Sequence, residues 1–162
     1  MRYTKTNVGP YNLHVINTDK FKTIKIKINF KKLMDKKDIT FRRFLSDLLL
    51  ESSKNYPTKR DLAIACENLY DLGIGVNTYL SGNYNIISFS ANYIDSRYLE
   101  EDIEEDVIKF ISDVIFNPDV NAGAFNNKSF DMVKKQYNEE LESYKDNPKK
   151  YSLDRMYEEM DN

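Results

Sequence analysis

The chain has 162 residues, 41% of them hydrophobic, and a formal net charge of −2, which fits one globular domain that buries about two thirds of its unfolded surface. Its single cysteine excludes an internal disulfide, and no apolar run reaches the roughly 20 residues that a membrane-spanning helix needs. The polar N-terminus does not resemble a secretory signal, so we expect a cytoplasmic protein without membrane segments.

The N-terminal segment predicts two β-strands. Residues 11–16 form a β-like run, and the turn-forming residues 17–20 follow it. From Thr23 to Phe30, isoleucines alternate with lysines and an asparagine, so one face of this strand is buried and the other is solvated, as in antiparallel sheets. His14, the only histidine, lies on the first strand. One histidine cannot form a multi-histidine metal site.

Two helices are predicted after a charged connection at residues 31–38. Thr40 is the predicted N-cap of the first helix, and Thr58 with Asp61 predicts a capping box that begins the second. The second helix should end near Gly73, because glycine readily adopts the left-handed conformation found at helix C-termini. Cys66 on this helix is expected to be buried as a small hydrophobe. The apolar side of the first helix consists of Phe41, Phe44, Leu45, Leu48 and Leu49.

A hairpin and three helices complete the chain. Residues 76–80 and 84–92 are β-like and flank a turn at Gly82. A helix is predicted over residues 97–116, where six acidic residues complement the positive N-terminus, and Asn117 with Pro118 ends it. After a loop at residues 121–127, a long helix is interrupted at residues 146–148, and one more helical stripe follows.

The order of these elements predicts an α+β fold. Strands and helices occur in separate runs, which is typical of an antiparallel sheet covered on one face by helices. No linker, internal repeat or low-complexity tract divides the sequence, so residues 1–162 are expected to form a single domain. These patterns by themselves name no function.

Charge is distributed unevenly along the chain. Residues 1–60 carry 15 Lys and Arg against 5 Asp and Glu, whereas residues 61–162 carry 9 against 21. We expect the two halves to pack together and partly neutralise each other, although the asymmetry could also orient a partner. The lysine cluster at residues 20–37 has no accompanying aromatic–basic motif, so lysines on the solvent face of a strand explain it better than nucleic-acid binding.

Four segments of the chain occur in an order that is shared with a known protein family. They are LLESSKNYPTKRDLA (residues 49–63), YDLG (70–73), FNP (116–118) and EELESYKDNP (139–148). Together they resemble the pitrilysin/insulinase family of zinc peptidases, known as M16, to which the mitochondrial processing peptidases also belong. The resemblance covers the chain from about the first strand to the last residue. It implies a LuxS/MPP-like metallopeptidase fold.

The resemblance also implies that the zinc motif of the active family members is replaced. In those members the helix before the proline-containing loop carries H-x-x-E-H, whose histidines bind zinc and whose glutamate activates the metal-bound water. Counted back from Pro57, the motif falls on residues 43–47. Arg43 and Asp47 stand at the histidine positions and Ser46 at the glutamate position. A guanidinium cannot ligate a cation, and a serine hydroxyl is not a useful base near neutral pH.

A glutamate on a later helix is the third zinc ligand of active members, and the resemblance aligns Glu140 with it. Seven residues earlier, where active members commonly carry a second acid, this chain has Val133. Glutamate is common on helix surfaces, so one retained acid does not indicate a working site. We therefore assign no catalytic residue, no metal site and no cofactor.

Further segments resemble a subgroup of non-peptidase homologues that bacteria often encode beside an active member. They are GAF (residues 123–125), which follows Asn117 and Pro118, and KKYSLDRM (149–156). The implied role is that of a non-catalytic subunit that binds peptide, or that pairs with an active zinc-peptidase homologue or with a second copy. A family domain continues past residue 162, so the resemblance implies an N-terminal fragment of a larger two-domain protein.

Two other functions stay open at this point. One is a hydrolase with a carboxylate-bound metal held by Asp47, Glu51 and Glu140, although catalytic zinc sites nearly always include histidine. The other is a scaffold or nucleic-acid role for the basic residues 1–60. For the peptide-binding reading, the expected mode is addition of an extended peptide to an exposed sheet edge, and the sequence does not indicate which strand forms that edge.

Overall fold

The computed structural model describes residues 1–160, and the side chains of all of these except residues 36, 145, 150, 154, 157 and 158. The elements are, in order, β1 (Arg2–Val8), β2 (Tyr11–Asn17), β3 (Thr23–Leu33), α1 (Lys36–Leu49), α2 (Lys59–Asn68), β4 (Gly73–Ser81), β5 (Tyr84–Ile94), a 3-10 turn (Ser96–Tyr98), α3 (Glu104–Phe116), β6 (Val120–Asn121), β7 (Ala124–Phe125), α4 (Asn127–Lys145) and α5 (Pro148–Met160). The predicted α+β class with antiparallel strands is confirmed. Among the described residues, no helix is both long and apolar enough to cross a membrane.

The central sheet has three antiparallel strands in the order β3-β5-β4. The predicted hairpin of β4 and β5 is confirmed, and Gly82 at its two-residue turn has a φ of 55° that glycine adopts without steric cost. On both sides of β5, the register brings apolar residues opposite one another: Phe89 lies opposite Ile28 on β3 and Val76 on β4. These residues form one apolar face.

Helices cover this apolar face, which we call the covered face. Its β5 residues pack with α3, where Val107 is fully buried and Phe110 is 2% exposed. Because the side chains of a strand alternate, the other face carries Lys25, Lys27 and Lys31 on β3. We call that side the open face. The buried core consists of Leu49, Leu62, Leu72, Ile87, Phe89, Ala91, Tyr93, Ile103, Val107, Phe110, Ile111, Val114 and Ile115.

The first predicted strand is not part of the central sheet. It corresponds to β2, which pairs with β1 in a separate two-stranded sheet rather than with β3. Only Tyr3 and Val8 of Arg2–Val8 are apolar, and all seven residues are exposed, so no buried face marks this segment as a strand in the sequence. The sequence reading therefore missed β1.

Helix boundaries correct three details of the sequence reading. Asp35 caps α1, and its side chain accepts a hydrogen bond from the backbone N–H of Lys37, so Thr40 lies inside the helix rather than at its start. The capping box of Thr58 and Asp61 is confirmed. Helix α2, however, ends at Asn68, five residues before Gly73 begins β4. Helix α3 begins at Glu104, because residues 96–98 form a separate turn.

The chain leaves α2 through two non-glycine residues with left-handed backbone. Tyr70 has a φ of 55° and Asp71 a φ of 61°, and Gly73 does not have a positive φ. Two such residues in succession store local strain, which the burial of Leu72 immediately afterwards offsets. Cys66 on α2 is half-buried rather than fully buried, and burial raises the pKa of its thiol, so the group stays protonated at neutral pH.

Candidate functional site

Helix α1 contacts the sheet through a side that the sequence reading took for polar. Ser46 is 1% exposed, and its hydroxyl lies 3.3 Å from Oγ1 of Thr78 on β4. Its Oγ also donates to the carbonyl of Arg43 one turn earlier, at 2.7 Å, which satisfies the hydroxyl without opening the helix. Two residues of the predicted apolar side are instead exposed, Phe41 at 74% and Leu45 at 40%. The buried face of α1 is therefore rotated about the helix axis, by part of a turn, from the predicted one.

Arg42 fixes this orientation of α1 on the β3 side. Its Nε donates to Oδ1 of Asn85 at 2.6 Å, and its Nη2 donates to the carbonyl of Phe30 at 3.0 Å. Asn85 is 2% exposed, so the arginine satisfies a buried amide oxygen that water does not reach. Because Arg42 and Ser46 both face the sheet, Arg43 and Asp47 turn toward α4.

Arg43 and Asp47 meet two residues of α4, and we call the four side chains Arg43, Asp47, Tyr137 and Glu140 the α1–α4 cluster. Nη2 of Arg43 lies 3.2 Å and 2.9 Å from the two carboxylate oxygens of Glu140. The Tyr137 hydroxyl donates to Oδ2 of Asp47 at 2.5 Å. The guanidinium carbon of Arg43 also lies 5.1 Å from the centre of the Tyr137 ring, within the range of cation–π attraction.

The electrostatics of the α1–α4 cluster favour the protonation states that make these bonds. Burial, with the hydrogen bond to Asp47 and the charge of that carboxylate, holds the pKa of Tyr137 well above its usual range. Burial is the largest single influence on the pKa of Arg43 and lowers it, but the hydrogen bond with Glu140 and the charges of Glu140, Tyr137 and Asp47 together outweigh burial, so the pKa is raised. The Arg43 and Glu140 side chains are 52% and 49% exposed, so we expect this ion pair to contribute about 1 kcal/mol or less.

Apolar contacts support the same meeting of helices. The ring of Phe44 lies 5.1 Å from that of Phe130 and 5.4 Å from that of Tyr137, so α1 and α4 share an aromatic layer beneath the polar pairs. Val133, one turn before Tyr137, is fully buried. The position where the resemblance expects a second acid is therefore part of the apolar contact.

The loop between α1 and α2 is fixed to α3 by one carboxylate. Asp113 accepts hydrogen bonds from Oγ of Ser53 at 2.5 Å and from Nδ2 of Asn55 at 2.6 Å. It also accepts one from Nδ2 of Asn117 at 2.8 Å. Ser53 is 0% exposed, and this bond satisfies its hydroxyl. The end of α1 is thereby held in one place relative to the core.

The donor set of the α1–α4 cluster does not fit a zinc ion. A guanidinium has no lone pair to give, and its charge repels a cation at the position of the first histidine. The Asp47 carboxylate is engaged by Tyr137 and the Glu140 carboxylate by Arg43. Among the described residues, no group of three His, Cys, Asp or Glu side chains lies close enough together to hold a metal ion.

The structure brings together some of the residues that the sequence reading singled out and separates others. Arg43, Asp47 and Glu140 converge, and Ser46 lies beneath them against the sheet. Glu51 does not join them: it is 6% exposed and accepts from Nζ of Lys59 at 2.5 Å. The metal site of Asp47, Glu51 and Glu140 that was left open is therefore not assembled.

Tyr137 is the site residue that the sequence reading missed. Its spacing from Val133 and Leu141 is that of an apolar helical stripe, and tyrosine at such spacing usually packs in a core. The signal that could have found it is its spacing of three residues from Glu140, which puts both side chains on one face of α4.

No family model matches the chain, whereas comparisons with curated proteins and with solved structures find similar proteins. A curated protein of Bacillus subtilis (strain 168), described as the probable inactive metalloprotease YmfF, is 23% identical over 158 residues, which are 96% of this chain and 37% of that protein. The crystal structure of a conserved protein from Enterococcus faecalis V583 matches with a TM-score of 0.88 and 29% identity over 93% of this chain and 36% of that one. The chain thus spans little more than a third of the length of each protein that it matches. Over nearly all of its own length, it is similar to a protein that is described as a probable inactive metalloprotease.

Proposed function

We propose that the chain is a catalytically inactive domain of the pitrilysin/insulinase type, which binds peptide without cleaving it. The observation that carries the proposal is the meeting of Arg43 and Asp47 on α1 with Glu140, which lies 97 residues after Arg43. The family resemblance aligned all three positions with zinc ligands. The similarity to a protein described as a probable inactive metalloprotease supports the same reading.

The chemistry of the α1–α4 cluster explains how such a domain keeps its shape without zinc. A zinc ion would tie α1 to α4 by neutralising carboxylate charge. Here the Arg43 guanidinium supplies positive charge to Glu140, and the Tyr137 hydroxyl satisfies Asp47. The contact between the two helices is retained. The histidines that would hold the zinc Lewis acid are replaced by Arg43 and Asp47, and Ser46 stands where active members have the general base.

The free edge of β4 is the proposed binding position for an extended peptide. In the sheet order β3-β5-β4, β4 is an outer strand, and Thr78 at its centre contacts Ser46 of α1. Ser81 and Tyr84 flank the two-residue hairpin turn and form a hydrogen-bonded pair. Along β4 from Ser81, every second residue therefore bonds to β5, and the residues between them do not. The backbone groups of Leu80, Thr78 and Val76 therefore point outward and can pair with a peptide.

The partner and the full protein are further parts of the proposal. The resemblance suggests an active zinc-peptidase homologue as the partner subunit, with peptide processing as the shared task. Both matched proteins are nearly three times as long as this chain, which supports the proposal that residues 1–162 are one domain of a larger protein. A cytoplasmic location belongs to the same proposal.

The proposal predicts neither stoichiometric zinc nor peptide hydrolysis in the purified protein. Metal content is measured by mass spectrometry after dialysis against zinc, and hydrolysis with a mixture of quenched fluorescent peptides. A Glu140→Gln variant serves as the control for activity from a contaminating peptidase. One equivalent of zinc together with turnover that the Glu140→Gln change abolishes would contradict the proposal.

Substitution of Leu80 tests the β4 edge. Leu80→Pro removes one outward N–H and adds a ring at the edge, so we expect at least about fivefold weaker binding of a peptide that pairs there, since one hydrogen bond contributes about 1 kcal/mol. Leu80→Ala removes the same side chain, which is 54% exposed, but keeps the N–H, so binding should stay within about twofold.

The measurement for Leu80 is fluorescence anisotropy with a labelled peptide of alternating threonine and valine between charged ends. Circular dichroism checks that both variants keep the native fold. Equal loss of affinity in Leu80→Pro and Leu80→Ala would exclude backbone pairing at this edge and leave the inactivity of the zinc position untouched.

A further inference from the structure

The open face of the central sheet carries positive charge and no negative charge. Lys25, Lys27 and Lys31 project from β3, with Lys25 and Lys27 about 6.8 Å apart along the strand and Lys31 about 13 Å further on. None of the three strands of the sheet contains an aspartate or a glutamate. Every fixed charge that this face presents from its own strands is therefore positive.

Small residues make one end of the open face low in relief. Beside Lys25 and Lys27, β5 carries Ser88 and Ser90 and β4 carries Gly73 and Gly75, whereas the larger Tyr79 and Ile86 lie at the other end, beside Lys31. A surface of glycine and serine lets another polypeptide approach the sheet closely, while the lysine stems on β3 form a raised border along one side. At one end, Lys31 lies 3.8 Å above the ring of Tyr84 and is held in position by it.

The lysines of the open face have no ion-pair partner among the described residues. Among the ion pairs between described residues, none involves Lys25, Lys27 or Lys31. Arg43 with Glu140 is the one such pair that joins residues 1–60 to residues 61–162. Contact ion pairs between the basic and acidic halves are thus limited to this one in the described part of the chain. The complementary charges stay available to a partner.

The acidic counterpart lies elsewhere on the same molecule. The connection before α3 and its first turn carry six exposed carboxylates, at Glu100, Glu101, Asp102, Glu104, Glu105 and Asp106. This segment belongs to the helix side of the sheet, because Ile103 in its middle packs into the core with α3. No ion pair between described residues joins this segment to the lysines of the open face, and the two can meet between two copies of the chain.

We propose that the open face is a docking surface for residues 100–106 of a second copy of this chain. The lysines of one copy pair with the carboxylates of the next, so the contact is heterologous, with different surfaces on its two sides. Its strength depends on ionic strength, since exposed charges are screened over about 10 Å at 0.1 M salt and over about 30 Å at 0.01 M. The open face is turned away from α1 and the α1–α4 cluster, so the proposal does not rest on the proposed peptide binding.

Analytical ultracentrifugation of the purified chain at about 0.01 M and about 1 M salt tests the proposal. We expect the average mass to rise with protein concentration at low salt and to stay that of a monomer at high salt. The basic-face variant combines Lys25→Gln, Lys27→Gln and Lys31→Gln, and the acidic-segment variant combines Glu100→Gln, Glu101→Gln and Glu104→Gln. Each alone should associate about tenfold or more weakly than the unchanged chain.

Mixing the two variants is the decisive arm of the experiment. The basic-face variant keeps the acidic segment and the acidic-segment variant keeps the lysines, so an equal mixture should form one-to-one dimers that cannot grow further. A charge-matched control carries Lys128→Gln, Lys134→Gln and Lys135→Gln on α4 and should associate like the unchanged chain. Circular dichroism on every variant separates loss of docking from loss of fold.

Three results would overturn the proposal. The first is an unchanged chain that stays monomeric at low salt at every concentration. The second is equal weakening in the α4 control, which would indicate dependence on net charge rather than on the open face. The third is failure of the mixed variants to pair although the unchanged chain associates. None of these results bears on the zinc content or peptide binding of the chain.

Discussion

Replacement of Arg43 and Asp47 by histidine is expected to create a zinc site between α1 and α4. The two positions are four residues apart on α1, so both imidazoles would lie one helical turn apart on the side that faces Glu140. Two histidines and a carboxylate form the three-ligand set of catalytic zinc sites. The Arg43→His change also removes the positive charge that now pairs with Glu140.

The expected result is one zinc ion per chain with a dissociation constant of about 1 μM or tighter, which corresponds to about 8 kcal/mol of binding. Isothermal titration calorimetry with zinc measures it, and the unchanged chain titrated in parallel should give no saturable binding. A rise in the thermal midpoint of the double variant on addition of zinc is a second readout, because an ion that binds the native state stabilises it.

Glu140 decides whether the new site has the proposed geometry. Adding Glu140→Gln to the two histidine changes should weaken zinc binding by roughly 10- to 100-fold, since one of three ligands is lost. Glu139→Gln is the matched control: it lies next to Glu140 on α4, pairs with Lys135 and should leave zinc affinity unchanged. If both glutamine changes had the same effect, the alignment of Glu140 with the third ligand would be wrong.

The fold could be predicted from the sequence where a pattern has a single physical cause. Alternation of isoleucine and lysine in β3 has one explanation, a strand with one buried face, and the structure confirms it. The Thr58–Asp61 capping box and the glycine turn at Gly82 are local features of the same kind. Each could be read because the residues that determine it are neighbours in sequence.

Features that depend on tertiary contacts could not be read in this way. The apolar spacing on α1 pointed to Phe41 and Leu45, but the helix turns Ser46 and Arg42 to the sheet because their polar groups find partners on Thr78 and Asn85. The left-handed residues after α2 are Tyr70 and Asp71 rather than a glycine, since the burial of Leu72 fixes the path of the chain there.

The residues of the candidate site also differ in whether they could be predicted from the sequence. Arg43, Asp47 and Glu140 could be named beforehand because the family resemblance aligned each of them with a ligand position. Tyr137 could not, since its part is to satisfy an aspartate that active members do not have at that position. Residue patterns alone gave no reason to expect a contact between α1 and α4. The hydrogen bond from Tyr137 to Asp47 joins the two helices across 90 residues of sequence.

Val133→Glu is expected to be among the most destabilising single changes in α4. The resemblance expects an acid at this position in active members, but Val133 is fully buried in the contact between α1 and α4. A carboxylate there loses its hydration without a cation to pair with, which costs about 3 to 5 kcal/mol at neutral pH. Met132→Glu is the matched control: it is the preceding residue, 46% exposed, and should change stability by about 0.5 kcal/mol or less.

Because α4 packs mainly on α1, this cost need not appear as global unfolding. The penalty cannot exceed the free energy that holds α4 in place, since the helix can detach and return the carboxylate to water. Hydrogen exchange of the α4 amides is therefore the measurement, with faster exchange expected in Val133→Glu and not in Met132→Glu. Burial raises the pKa of the new carboxyl in the docked state, so docking should recover as pH falls through that pKa and the group becomes neutral. Protection in α4 that is equal in the two variants at neutral pH would mean that Val133 is not enclosed by the α1–α4 contact in solution.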